Sequence, residues 1–275
     1  MDDQPSVGPT KVQYLHLNQG NGQIYDFPYG VETSTKDVYE VHWIGTCYCI
    51  TCVCAYIPLG AGESGKARCF AAHIDAHTGH PDAGPLNMTS WVIETPEEKA
   101  TLKAYMKDRL TAALPWLANG EYATNELRHH AIIVCPRPEL HHTGEDKMQM
   151  TGGVIIEAIR EFFCIGTGDL GTSFAHGFIV NPQTNEKQML QWNDPGVNEI
   201  SMGELWRIRL EKKLAGASQE RLDEESKSLW RMIPNDFHFV GGTTSHKSRA
   251  WSLKYDRVNK TWGLLDSGVG CPDDL

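Results

Sequence analysis

Residues 48–57, the glycine-rich stretch Leu59-Gly60-Ala61-Gly62-Glu63-Ser64-Gly65-Lys66, and residues 68–74 constrain this chain more than any other part of it. Two apolar, β-rich runs separated by a turn of this composition read as a long β-hairpin. A strand signal also precedes it: residues 38–44 are β-branched and aromatic, Gly45 breaks the run, and the pattern resumes at Tyr48 and continues to Pro58. The chain must therefore be built around a sheet.

Helices are expected on either side of the short strand 131–135. Thr95-Pro96-Glu97-Glu98 places a threonine at the N-cap, proline at the first helical position and glutamate at the third, a capping box. Leu102, Tyr105, Met106, Leu110, Ala113, Leu114 and Leu117 then recur at helical spacing, so the helix runs to about Ala118, with Asn119-Gly120 ending it. A second amphipathic helix is expected over residues 154–164, with Ile155, Ile156, Ile159, Phe162 and Phe163 on its buried face. Residues 166–171 read as a loop, and 174–180 with 187–192 as a hairpin. Residues 1–37 read as an irregular leader, with a core over 38–194. From 195 a C-terminal α+β extension packs on that core, with helices at 199–214 and 219–232 and strands at 237–240, 251–255 and 262–265. The expected class is α/β (α+β), a layered β-structure flanked by helices.

The formal charge of −10 and the lack of a Lys/Arg cluster argue against nucleic acid, because neutralising phosphate needs concentrated positive charge. No window approaches the roughly 20 apolar residues of a membrane span, and residues 1–5 lack a basic, then apolar leader, so a cytoplasmic location is expected. Cys47, Cys49, Cys52 and Cys54 fall within one extended run and cannot pair with one another inside a single strand, which favours reduced thiols.

Gly45-Thr46-Cys47 and Ala72-His73-Ile74 offer a thiol and an imidazole at the two ends of this strand-turn-strand unit. A thiol becomes a useful nucleophile as thiolate, and a neighbouring imidazole can take its proton. Cys47 is the expected nucleophile and His73 the general base. Gly45 permits a turn that lets the amides around Thr46 and Cys47 face a developing oxyanion. Asp169 and His176 flank the loop before the second hairpin and are candidates to line a cleft. Against these stands the ordinary fate of a free cysteine, which is to be a small buried apolar residue.

These segments resemble the CheD chemoreceptor glutamine deamidases and, more distantly, the cytotoxic necrotizing factor deamidases. The Gly45-Thr46-Cys47, strand, glycine turn and Ala72-His73 order is similar to that family's Gly-Ser-Cys to Ala-His segment. Glu157-Ala158-Ile159-Arg160-Glu161-Phe162-Phe163, Asp169-Leu170-Gly171 and the hairpin carrying Asn181-Pro182-Gln183-Thr184 are similar to its closing helix, loop and hairpin. The resemblance covers residues 38–192 and implies a cysteine-dependent hydrolysis of a carboxamide, on a protein glutamine side chain or a small-molecule amide, without a cofactor. The family's third catalytic member is a threonine upstream of the cysteine; at the matching spacing, six residues before Cys47, this chain has Val41, and Thr46 or Thr35 are the substitutes at hand.

Other readings of the same residues are a small-molecule biosynthetic enzyme reusing the fold, a binding module without activity, and a metal-dependent enzyme. The last would use His73, His77 and His80, but their spacing suits a helix and the local pattern is strand followed by loop. Cys49, Cys52, Cys54 and Cys69 read as core packing, since their spacing lacks the turn of a zinc knuckle. Trp206, Trp251 and Trp262 read as core or interface anchors.

Overall fold

A computed structural model describes residues 12–32, 38–47, 49, 51–62, 65–79, 88–117, 128–136, 138–141, 147–166, 175–191, 236–240 and 250–265. The hairpin is its spine. Strand β6 (Val53–Ala61) pairs antiparallel with β7 (Ala67–His77), with Cys54 opposite His73 and Val53 opposite Ile74. β8 (Ile132–Val134) extends the sheet beyond β6, and β9 (Glu139–His141) with β10 (Lys147–Gln149) forms a small antiparallel pair of its own. On its other edge the long β7 carries two strands end to end: β2 (Gly22–Phe27) along Ala67–Ala72 and β14 (Ser252–Asp256) along Asp75–His77, with β15 (Thr261–Leu264) outside β14.

A second sheet runs in the order β12 (Lys187–Gln191), β11 (Ala175–Val180), β5 (Trp43–Thr46), β1 (Val12–His16), β13 (Phe237–Val240). Because strand side chains alternate between faces, the buried hairpin divides its residues between two cores. Cys54, Tyr56, Cys69 and Ala71 meet Leu15, Leu17, Ile44 and Phe178 of the second sheet. Val53, Ile57, Phe70 and Ile74 point the other way, onto α1 (Pro96–Ala113) and α2 (Thr151–Phe163). The result is three layers: sheet, sheet, helices. The mixed α+β class is as expected.

α1 starts at Thr95 with both halves of the capping box formed. Leu102, Met106 and Leu110 are fully buried along it, each contributing about 2 kcal/mol by leaving water. It ends at Ala113, earlier than its periodicity suggests, because Leu114 precedes Pro115 and takes φ −134°, outside the helical region. α2 begins at Thr151, and β11 with β12 forms the second hairpin as expected.

Four expectations change. The 1–37 leader is not irregular throughout: β1 lies between β5 and β13, β2 lines β7, and β3 (Tyr29–Glu32) pairs with β4 (Val38–Val41). Residues 38–44 are two strands, since β4 belongs to that small separate sheet and β5 to the large one, with the break at His42. Strand β6 starts at Val53 rather than Tyr48. The C-terminal strands are not packed on the outside, because β13 joins one sheet and β14 and β15 the other. Pairing between strands distant in sequence leaves little trace in local pattern, which explains the places taken by β1, β2 and the C-terminal strands. The helices expected at 199–214 and 219–232, together with Thr35, His80, Asp169 and Trp206, lie outside the described residues.

Candidate functional site

The site lies between the two sheets, at the end of the hairpin opposite its turn. Gly45 does not break the strand; it continues β5, paired with His16 and Ile179. A Cβ there would come within 2.6 Å of the Phe178 carbonyl oxygen, so glycine serves close strand approach and not a turn. Gly177 on β11 returns the favour: its Cβ would meet the Thr46 oxygen at 2.1 Å. Close contact at this point fixes the height of Thr46 above β7.

The Thr46 hydroxyl bridges the sheets. Its Oγ1 lies 2.8 Å from the carbonyl oxygen of Leu17 and 2.8 Å from Nδ1 of His73. A hydroxyl has one proton, and the carbonyl can only accept. Thr46 therefore donates to Leu17 and accepts from His73, which fixes the neutral imidazole as the Nδ1–H tautomer and leaves the lone pair on Nε2. That is the arrangement a general base requires. The backbone around His73 is held as well: its N–H donates to the Asn21 oxygen and its carbonyl accepts from Gly20, both at 2.8 Å.

Period-two alternation gathers the rest. His73 and Asp75 on β7 share a face with Cys54 across the ladder and with Cys52 at the bend just before β6. Asp75 is fully buried and its carboxylate accepts from Gln19 at 2.8 Å, His77 at 2.5 Å, Trp91 at 3.1 Å and the Cys52 thiol at 3.7 Å. Burial alone would raise its pKa, but His77 and the other donors outweigh that and hold it down to about 2.

The thiols differ sharply. Burial, reinforced by Cys54, pushes Cys47 up to about 12, and the side chain packs with Tyr14, Ile179 and Leu190 on the far face of the second sheet. Burial also opposes ionisation of Cys54, but the Cys49 thiol and the neighbouring His73 ring, which is the counter-charge when it takes up a proton, hold its thiol below the ordinary range. Cys49 is driven the other way by burial and by Cys54, and its thiol lies 2.6 Å from the Cys52 carbonyl. Cys54 is sealed at 0% exposure, while Cys52 retains 6% at the loop where β6 begins. The cysteines read as core packing are indeed buried, yet Cys49 and Cys54 bring their sulfurs and a nitrogen of His73 within 4.8 Å of one another.

Among the expected site residues, then, Thr46 and His73 come together, and Gly45 supports them from within the strand. Cys47 adjoins Thr46 in sequence while its side chain turns to another cluster. His176 is buried in β11, and its carbonyl accepts from the Cys49 N–H at 2.8 Å, tying the loop down. His77 serves Asp75. Asp75 and Cys52 were not singled out from sequence, although the polar residues His73, Asp75 and His77 at every second position of an apolar strand were the available signal.

Burial lowers the pKa of His176 to about 4, and burial with His73 nearby lowers that of His16 to about 3. Each takes a proton near pH 6.5 when unfolded but refuses it when folded. Stability is therefore complete above pH 6.5 and falls as pH drops towards 4, on the order of 3 kcal/mol for His176 alone. Urea unfolding at pH 7.5, 5.5 and 4.5 should show this decline, and His176→Gln should flatten it; an unchanged slope in the variant refutes the assignment.

No family model matches the chain, and comparison with curated proteins finds no match. No helix among the described residues is long and apolar enough to cross a membrane.

Proposed function

We propose that the protein is a cysteine-dependent amide hydrolase of the glutamine-deamidase kind, with Cys52 as nucleophile, His73 as general base and Thr46 holding that base. The observation carrying this reading is the hydrogen-bonded line from the Leu17 carbonyl through the Thr46 hydroxyl to His73 Nδ1. It supplies a base of defined tautomer beside a face of thiols. The spacing carried by the resemblance also supports a different cysteine. Counted by the family's six-residue spacing, Thr46 precedes Cys52 as Val41 precedes Cys47.

Cys52 is preferred to Cys54 because a nucleophile must be reached as well as activated, and Cys54 is sealed. It is preferred to Cys47 because that side chain, although half-buried and the more exposed of the two, packs on the far face of the second sheet away from His73, with its thiol held protonated. Cys52 lies just before β6 on the face that carries His73 and Asp75, and the reaction requires its thiol to turn about χ1 from Asp75 to the imidazole. Its proton passes to Nε2 of His73 as sulfur attacks the carboxamide carbon. His73 returns that proton to the departing ammonia, leaving a thioester. Water, deprotonated by His73, then releases the carboxylate and restores the thiol. The substrate is a primary carboxamide on a protein side chain or a small molecule.

Timed alkylation with iodoacetamide and peptide mapping tests the assignment. Cys52 should react before the other thiols, and its rate should fall in His73→Ala. First labelling at Cys47 would return the nucleophile to that residue, and uniformly slow labelling of all thiols would sink the hydrolase reading.

A further inference from the structure

Cys49, Cys54 and His73 are three soft ligands from a loop and two neighbouring strands, and all three are buried. The proposed hydrolase uses only the last. Tetrahedral zinc takes sulfur at about 2.3 Å and imidazole nitrogen at about 2.0 Å, so its ligand atoms stand roughly 3.3–3.8 Å apart. The three atoms here lie within 4.8 Å of one another, and side-chain movements of about an ångström or less bring them onto such a site. We propose that Cys49, Cys54 and His73 bind a thiophilic cation, zinc or copper(I), which inhibits the hydrolase by occupying its base.

Two thiolates and one imidazole favour these ions over magnesium or calcium, which seek oxygen. Backbone anchors keep the set together: the Cys49 N–H donates to the His176 carbonyl at 2.8 Å, and Cys54 is locked opposite His73 in the ladder. The Thr46 to Leu17 line plays the part usual behind a metal-bound histidine, where a second hydrogen bond fixes the ring and its tautomer. Binding releases the thiol protons, and a cation held at Nε2 occupies the lone pair that would accept the Cys52 proton. The inhibitory half of the proposal rests on the hydrolase reading; the binding half does not.

The full chain, reduced and stripped with a chelator, is titrated with Zn²⁺ against a chromophoric chelator and, separately, with Co²⁺ to read thiolate-to-cobalt charge transfer. One equivalent should bind with the charge-transfer band. Cys49→Ser and Cys54→Ser should each weaken zinc by roughly 100-fold or more, Thr46→Val by about tenfold as a residue behind the ligand, and Cys164→Ser not at all. If Cys49→Ser does not fold, Cys49→Ala serves the same purpose, with circular dichroism confirming the native state. Absence of a tight equivalent, or an affinity in the Cys49 or Cys54 variant equal to the parent's, overturns the site. Zinc should also suppress Cys52 alkylation and ammonia release in the parent protein, whereas Cys49→Ser remains active and resistant. Stoichiometric zinc that leaves both unchanged overturns the inhibition. A preparation that binds zinc but releases no ammonia from any amide refutes the hydrolase reading while the site stands.

Discussion

Cys52→Ala should lower ammonia release from carboxamide substrates by a factor on the order of 10⁴ or more, the scale on which removal of an activated nucleophile is felt. Its unfolding free energy should stay within about 1 kcal/mol of the parent, because the change removes one sulfur at a strand end. His73→Ala should lose comparable activity, since nucleophile and base act as a unit and their losses do not add. Thr46→Val keeps size and burial but removes the oxygen that accepts from Nδ1, so the imidazole loses its fixed tautomer. An intermediate loss, mostly in kcat, follows. Ammonia release from a panel of glutamine- and asparagine-containing peptides and small amides supplies the readout. Cys47→Ala should remain active; an inactive Cys47→Ala beside an active Cys52→Ala reverses the assignment.

The largest effect on stability is expected at Trp251, far from the sequence of the hairpin yet fastened to it. Its indole N–H donates to the Gly22 carbonyl at 2.9 Å, its ring meets Phe70 edge-on at 5.3 Å, and the Arg109 guanidinium lies 5.6 Å from its centre. A Cβ at Gly22 would stand 2.9 Å from the ring, which is why β2 can pass so close. Trp251→Ala should cost about 4 kcal/mol, from lost burial, the cavity left and the abandoned carbonyl of Gly22. Urea denaturation checks this, with Trp251→Phe expected to recover much of the loss. The effect should extend to the site. The Asp75 N–H donates to the Trp251 carbonyl and the Trp251 N–H to Gly20, each at 3.0 Å, while Gly20 in turn holds the His73 carbonyl. A variant as stable as the parent would show that the C-terminal strands are not integral to the second core.

Much of this was legible in the chain. The capping box at Thr95, the stripe of Leu102, Met106 and Leu110, and the glycine turn between β6 and β7 are local signals, and each produced the element expected of it. His73 was likewise marked by its place on the partner strand. Choice of cysteine was another matter. Cys47, Cys49, Cys52 and Cys54 are equivalent as chemistry, and the prominence of Cys47 rested on a turn at Gly45, whereas that glycine answers to a neighbouring carbonyl within a strand.

By itself, then, the sequence determined the hairpin, the two flanking helices, the mixed α+β class and the presence of a histidine beside a run of thiols. These depend on periodicity, capping and turn chemistry within a few residues. Tertiary structure decided which side chains meet. A sheet places residues by alternation and register, and β1, β5, β7 and β14 come from widely separated stretches of chain. Only their pairing sets the Leu17 carbonyl, Thr46 and His73 in one line, turns Cys52 towards Asp75, and draws Cys49 and Cys54 to within a metal ion's reach of the same imidazole.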